Sequence, residues 1–510
     1  MKWKVALLAG LLVLAMAVPA WGESAGNMPE EDAAIVDDII DNFMLLAAIP
    51  RQSKHEQAVS DFLKGWAEDL GYTVRQNEAN DLFFYVPATP GCEALPLTAL
   101  QTHLDMVCVA EEGRSFDPQA DPIRVIVDKA AGTMTADGTT LGADDGAGVA
   151  IIMSIAKGKM AHGPLRIIFT TDEEVDMTGA LAVTAEDLSG VKYLINIDSE
   201  WSDSVTVSSA ASSLIVTKDA PKPADAKGDT AVSITLSGLL GGHSGLMIGE
   251  GRCNGITALA KVLADLPVPY ALASFTGGIA DNAIPAKAQA VVVIDGNDQT
   301  ALAQYVAEKE AALREAYAGI ESGLALAVEK TDAARKVLDA EQTQHILAYV
   351  AGAIDGVYTM SEVIDGLVES SSNLGLIQAD ASGIEIRQMP RSSSAERLKD
   401  IEDHHRALAA EQGLSVDIAD GSRPWPVKAD SVLVQKIRQI YREQNGEEIK
   451  VEAIHAGLEC GAFSELAEGL DMVSIGPDVA NAHSPEETLY LSSIPKTWHL
   501  LESLLVSLDE

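Results

Sequence analysis

Basic residues are scarce in this 510-residue chain: 36 Lys and Arg stand against 76 Asp and Glu, for a formal net charge of −40. A duplex-binding surface needs a cationic face that displaces counterions, so nucleic acid is not an expected partner. An anionic membrane surface is disfavoured by the same repulsion. Aromatic residues are also few, at 5%, so the core must be built of Leu, Ile, Val and Ala; with 47% hydrophobic residues there is ample material for one. Cysteine is limited to Cys92, Cys108, Cys253 and Cys460. They form no CxxC and have no close spacing, so neither a thiolate metal cluster nor a disulfide framework is indicated. Beyond the N-terminus no apolar run is long enough to cross a bilayer.

The N-terminus has a pattern of its own. Lys2 and Lys4 precede an apolar run from Val5 to Val18, and Ala20-Trp21-Gly22 offers small residues where a signal peptidase reads. This predicts a signal peptide over 1–22, cleaved after Gly22, and hence a periplasmic or secreted protein. The run is short for a span and no cysteine lies beside it to carry a lipid, so no stable membrane anchor is expected. Residues 23–31 read as a flexible new N-terminus.

From about Asp32 the spacing of Ile35, Ile39, Ile40, Phe43 and Leu46 predicts a helix that ends at Ile49-Pro50. Short apolar strands then alternate with helices: Leu82–Val86, Leu97–Leu100 running into His103, a helix over Ala147–Ala156, and strands at Leu165–Thr170 and Val191–Ile197. This order predicts an α/β sheet with helices on both faces. From about residue 211 the pattern becomes an approximate β-α-β-β-α-β order that recurs, which predicts an inserted α+β domain of two ferredoxin-like halves. After Gly421–Val427 the α/β pattern resumes. The expected division is a catalytic domain over 32–210 and 425–510, with a lid inserted over 211–424.

Acidic and histidine clusters sit at or soon after the ends of these strands. They are His103-Leu104-Asp105, the pair Asp144-Asp145 inside Thr139–Gly146 (TTLGADDG), Asp172-Glu173-Glu174, Asp198, and His483. Sites in open α/β sheets gather beyond the carboxyl ends of strands. An Asp after a strand is most often a turn or capping residue, so the reading rests on the ordered set. Imidazole with carboxylate suits zinc, cobalt or manganese, and one carboxylate can bridge two ions that share an activated water. Asp144, flanked by glycines that permit a tight turn, suits the bridge.

Taken in order, His-Leu-Asp-Met, Thr-Thr-Leu-Gly-Ala-Asp-Asp-Gly, Asp-Glu-Glu, Asn-Ile-Asp-Ser-Glu, Gly-Gly-His-Ser-Gly, His-Ala-Gly-Leu-Glu-Cys-Gly and His-Ser-Pro-Glu-Glu make the chain similar to the cytosolic aminoacyl-histidine dipeptidases, within the di-zinc peptidase and deacylase clan. The resemblance runs from about Asp32 to Leu505. It implies two divalent ions, zinc first with cobalt or manganese as alternatives. His103 and Asp198 would hold one, Glu174 and His483 the other, and Asp144 both. Glu173 would be the general base that takes a proton from the attacking water and returns it to the leaving amine. Asp105 would orient His103.

The resemblance also implies that His243, in the Gly241–Gly245 loop, steadies the oxyanion. Asn282 and Arg391 would hold the substrate's terminal groups, and His455 with Gly457 would line the pocket for its C-terminal residue. Asp145 and Glu200 neighbour the implied ligands and read as supporting residues. His55, His162, His345, His404, His405 and His499 read as structural or solvated. Residues 421–427 depart from the more aromatic family stretch. The expected function is a metallo-dipeptidase acting on unblocked dipeptides such as Xaa-His, in a monomer or homodimer. The alternatives are an N-acyl amino acid deacylase on the same metal core and a non-catalytic peptide-binding relative.

Overall fold

The computed structural model describes residues 28–332, 336–364, 366–467 and 469–508. The signal-peptide pattern and residues 23–27 of the expected flexible segment lie outside them; the first helix, Glu30–Ala47, already includes Glu30 and Glu31. The chain divides into two compact units. The first comprises Met1–Ser208, Pro426–Ala453 and Glu459–Glu510; the second comprises Ser209–Trp425 and Ile454–Leu458.

The first unit is built on an eight-stranded sheet in the order Val74–Gln76, Leu82–Val86, Leu165–Thr170, Thr98–His103, Tyr193–Asn196, Asp471–Ser474, Ser204–Ser209, Lys450–Ile454. The four central strands run parallel, and antiparallel strands flank them. Strand Asp471–Ser474 comes from the far end of the chain and pairs beside Tyr193–Asn196. Strand Thr98–His103 is buried at every position, as a central strand covered on both faces must be. Helix Ala143–Ala156 is apolar all round and buried from Asp145 to Ala156. Helix Val432–Asn445 is capped twice: Ser431 Oγ accepts from Val434 N, and the Asp471 carboxylate accepts from Val432 N and Leu433 N. The parallel strands end together at His103, Thr170, Asn196 and Ser474, which sets the sequence clusters on one edge of the sheet.

The second unit is built on an antiparallel nine-stranded sheet of two four-stranded halves, with Gly356–Met360 paired onto Val368–Asp380 off the main path. One half runs Ala325–Lys330, Thr230–Ser237, Ala288–Ile294, Ala271–Gly277, with helices Gly255–Ala264 and Gln299–Ala316. The other runs Ser415–Asp420, Ala211–Asp219, Gly383–Ser392, Val368–Asp380, with helices Ala340–Gly352 and Ala395–Glu411. Each has the fourth-first-third-second strand order of a ferredoxin-like fold. They join where Ser274–Gly277 pairs with Ile377–Asp380. Past the first half, the second half resumes on a helix, Ala340–Gly352. Its first strand is in fact Ala211–Asp219, whose alternating burial marks a half-covered strand and which precedes the whole first half. Strand pairing does not depend on sequence distance, so linear order hid it.

A polar knot lies inside the second half. Tyr349 Oη donates to Gln388 Oε1 (2.9 Å) and accepts from Thr217 Oγ1 (2.7 Å), and it lies 3.3 Å from Nδ1 of the fully buried His405. Burial first, and then neighbouring His404, hold His405 down to about 3.

Two outcomes follow from this packing. Ile151→Ala empties volume at a fully buried position and is expected to cost about 2–5 kcal/mol, read as a lower urea midpoint of unfolding. His405 protonates near 6.5 when unfolded but only near 3 when folded, so the unfolded chain binds more protons between those values. Stability contributed by the neutral ring is therefore lost as pH falls from 6.5 toward 3. Unfolding midpoints measured from pH 7 to pH 4.5 should decline, and His405→Gln should decline less steeply.

Candidate metal centre and substrate-binding residues

At the edge of the first unit's sheet the structure brings five of the sequence-selected side chains together. His103 Nε2 lies 3.1 Å from Asp144 Oδ1 and 3.3 Å from Asp198 Oδ1. His483 Nε2 lies 3.1 Å from Asp144 Oδ2 and 2.8 Å from Glu174 Oε2. Asp144 thus presents a different oxygen to each imidazole. Two sets, His103 with Asp144 and Glu174, and His103 with Asp145 and Asp198, offer ligand atoms within 4.8 Å of one another.

The electrostatics call for cations. Asp144, Asp145, Glu173, Glu174, Asp198 and Glu200 crowd around two imidazoles. Burial, reinforced by neighbouring carboxylates, pushes Glu174 up to about 7 and Glu200 up to about 8, and raises Asp145, Glu173 and Asp198. Asp144 alone is lowered: hydrogen bonds to both histidines outweigh its burial. Atoms bound to one tetrahedral zinc at about 2.0–2.2 Å lie about 3.3 Å apart, close to the separations here. The donor chemistry and spacing fit a pair of divalent ions.

Buried groups hold these ligands through the backbone. Asp105, also sequence-selected, lies with Oδ1 3.4 Å from His103 Nδ1. It accepts the N–H of Glu173 (3.0 Å) and of Glu174 (3.3 Å), and the Ser53 hydroxyl at 2.8 Å. Asp145 accepts from Thr102 Oγ1 and from Gly148 N (3.0 Å). Three supports were not singled out in the sequence. Glu56 Oε1 accepts the N–H of Asp172 at 3.0 Å. Arg51 donates to the carbonyls of Leu104 (2.9 Å), Asp105 (3.0 Å) and Gly142. Glu487 accepts four successive N–H groups, from Leu141 to Asp144. Glu487 closes the His-Ser-Pro-Glu-Glu motif that begins at His483, which marks its segment but not its role; Arg51 and Glu56 look like ordinary surface charges. His483 itself has φ +63, a left-handed conformation uncommon outside glycine.

The remaining sequence-selected residues lie in the second unit. His243 pairs with Ala283 on a short ribbon, and Ser244 N donates to the Asn282 carbonyl (2.8 Å). Asn373 Nδ2 bonds the carbonyls on both sides of Asn282, at Asp281 (2.8 Å) and Ala283 (3.0 Å). His455 Nε2 bonds Ser371 Oγ at 2.7 Å, and Ser371 pairs directly with Arg391 in the sheet. A Cβ on Gly245 would meet the His455 carbonyl at 2.8 Å and the His243 ring at 2.9 Å, so glycine lets the two histidine segments approach. Gly457 follows His455, and the motif divides after Leu458, with Glu459 and Cys460 in the first unit.

Arg391 is 6% exposed, makes no ion pair among the described residues, and leaves its Nε without a partner. Burial lowers it to about 10. Burial, with Arg391 beside them, lowers His243 to about 4 and His455 to about 3, so both rings are neutral at pH 7. A buried guanidinium without an anion between two neutral histidines is suited to a carboxylate ligand.

Known proteins resemble the chain over most of its length. The cytosol non-specific dipeptidase of Escherichia coli K12 is 32% identical over 477 residues, 91% of this chain and 96% of its own. The crystal structure of aminoacylhistidine dipeptidase from Vibrio alginolyticus superposes with a TM-score of 0.88 at 31% identity, covering 93% of this chain and 97% of that one. An aminopeptidase from Bacillus cereus, 16% identical over 93% of this chain and 98% of its own, shares the fold at a TM-score of 0.53. The expectation of export is overturned: the relative alike over 91% of the chain is a cytosol enzyme. The periplasmic or secreted reading, with its signal peptide, is withdrawn. A family model matches residues 99–507, and with the relatives above 30% identity it shows that the chain belongs to peptidase family M20/M25/M40.

Proposed function

We propose that the protein is a metal-dependent dipeptidase that hydrolyses unblocked dipeptides, Xaa-His among them, with two divalent ions, zinc in the first place. The observation that carries this reading is Asp144, with one oxygen 3.1 Å from His103 and the other 3.1 Å from His483. His103 and Asp198 would hold one ion, Glu174 and His483 the other, and Asp144 would bridge. When bound, the ions supply Lewis acidity that makes hydroxide available near neutral pH.

The chain's own residues do the rest. Glu173 takes the proton of the attacking water and delivers it to the leaving amine. Burial, then the nearby carboxylates, raise its affinity for a proton, as a base working near neutrality requires. Asp105 orients the His103 ring and holds the Glu173 and Glu174 backbone. His243, neutral at pH 7, can offer an N–H to a developing oxyanion. Arg391 binds the dipeptide's terminal carboxylate, Asn282 helps hold its terminal groups, and His455 and Gly457 line the space for its C-terminal residue. The dipeptidase names of the two relatives above 30% identity support this substrate class.

Turnover of Ala-His against N-acetyl-His tests the reading. A dipeptidase cleaves the first and leaves the second; the reverse preference would establish an N-acyl amino acid deacylase. Glu173→Gln should lower kcat by about 10²–10⁴-fold with metal content unchanged. No turnover by the wild-type chain on any dipeptide, loaded with zinc, cobalt or manganese, sinks the enzyme reading. Arg391→Ala should raise KM for Ala-His by about 10–100-fold and change it far less for the C-terminally amidated peptide.

A further inference from the structure

The bridging residue has little local support. The backbone of the helix over Ala143–Ala156 is non-helical at Asp144 (φ −82, ψ 108) and Asp145 (φ −110, ψ 37). The helix has no side-chain cap from Gly142, which is left-handed at φ +74. Regular helical bonding therefore does not fix where the Asp144 carboxylate points. One side chain reaches this turn from the far end of the sequence. Glu487, 2% exposed, accepts with Oε2 from Leu141 N (2.7 Å) and Gly142 N (2.8 Å), and with Oε1 from Ala143 N (2.7 Å) and Asp144 N (3.2 Å). Arg51 holds the same turn from its carbonyl side, at Gly142. A Cβ on Gly142 would meet Arg51 Nη2 at 2.5 Å and Met106 Sδ at 2.6 Å. The turn is thus gripped by an anion on its N–H groups and a cation on its carbonyl.

We propose that Glu487 is the positioning residue for the bridging carboxylate. By gathering the N–H groups of residues 141–144 it fixes the orientation of Asp144, and it ties that turn to His483, four residues before it in the chain. Occupancy of the second ion then depends on a side chain that touches neither ion nor substrate. This rests on the two-ion reading above. The carboxylate matters because its two oxygens are acceptors only. A glutamine offers one acceptor oxygen and turns an NH2 toward two of the N–H groups.

The test uses the full-length chain loaded with Zn2+, dialysed, and measured by atomic emission and by competition with a chromophoric chelator. Wild type should retain two ions. Glu487→Gln should retain one, with the second bound about 10–100-fold more weakly, the range typical of groups that support metal ligands. Its kcat should fall while KM stays within about twofold. Glu487→Asp, which restores a pair of acceptor oxygens one methylene short, should give an intermediate second affinity and serves if the Gln variant does not fold. Asp471→Asn is the control: it removes a buried carboxylate that caps helix Val432–Asn445 through Val432 N and Leu433 N, and should lower stability while leaving two ions bound. The inference is overturned if the Glu487 variants bind both ions as tightly as wild type, or if Asp471→Asn loses the second ion as well. Wild type that binds fewer than two ions removes the two-ion reading, and this inference with it.

Discussion

Asp144 turns one oxygen toward His103 and the other toward His483, and the rest of the first unit can be understood as the means of keeping it there. Two imidazoles and several carboxylates are drawn from widely separated parts of the chain to one sheet edge. Burial first, and then mutual repulsion, disfavour the charged acids, as the raised proton affinities of Glu174 and Glu200 record. Protons or positive charge among the carboxylates relieve this, and divalent cations supply the charge most compactly. The cost of assembling the acids is therefore the same property that makes the place selective for metal.

Buried charges secure this arrangement through backbone groups more than through salt bridges. Glu487 and Arg51 grip opposite polar sides of the turn that carries Asp144, while Asp105 and Glu56 hold the N–H groups of residues 172–174. Fixed backbone dipoles satisfy each buried charge, so the charge need not be neutralised by a partner. A loop held at several successive N–H groups has little freedom to reorient. This matters where a carboxylate must face two directions at once.

The second unit solves a different electrostatic problem. Arg391 is buried without an anion, and the two histidines beside it are pushed toward neutrality. Its sheet, continuous across two ferredoxin-like halves, gives this group a rigid base: Arg391 pairs with Ser371, which in turn bonds His455. The cytosol relative sets aside the place in the cell that the N-terminal pattern suggested.

The α/β alternation, the ends of the parallel strands and the order of the His, Asp and Glu clusters were legible in the linear chain. Hydrophobic periodicity and residue chemistry are local properties, so Leu82–Val86 and Leu165–Thr170 could be read with their full extents. Ala211–Asp219 as the first strand of the second ferredoxin-like half could not, because its partners lie on the far side of another complete half. Nor could Arg51 and Glu56, or the role of Glu487 within its motif, since a charged residue carries no sign in sequence of whether it will be solvated or buried against backbone. The sequence by itself determined the two kinds of fold and singled out the His, Asp and Glu side chains that meet at one sheet edge. Only the tertiary structure decided which oxygen of Asp144 faces which histidine, which buried arginine lacks an anion among the described residues, and which remote carboxylate gathers the N–H groups of residues 141–144, because these depend on distances between segments far apart in the chain.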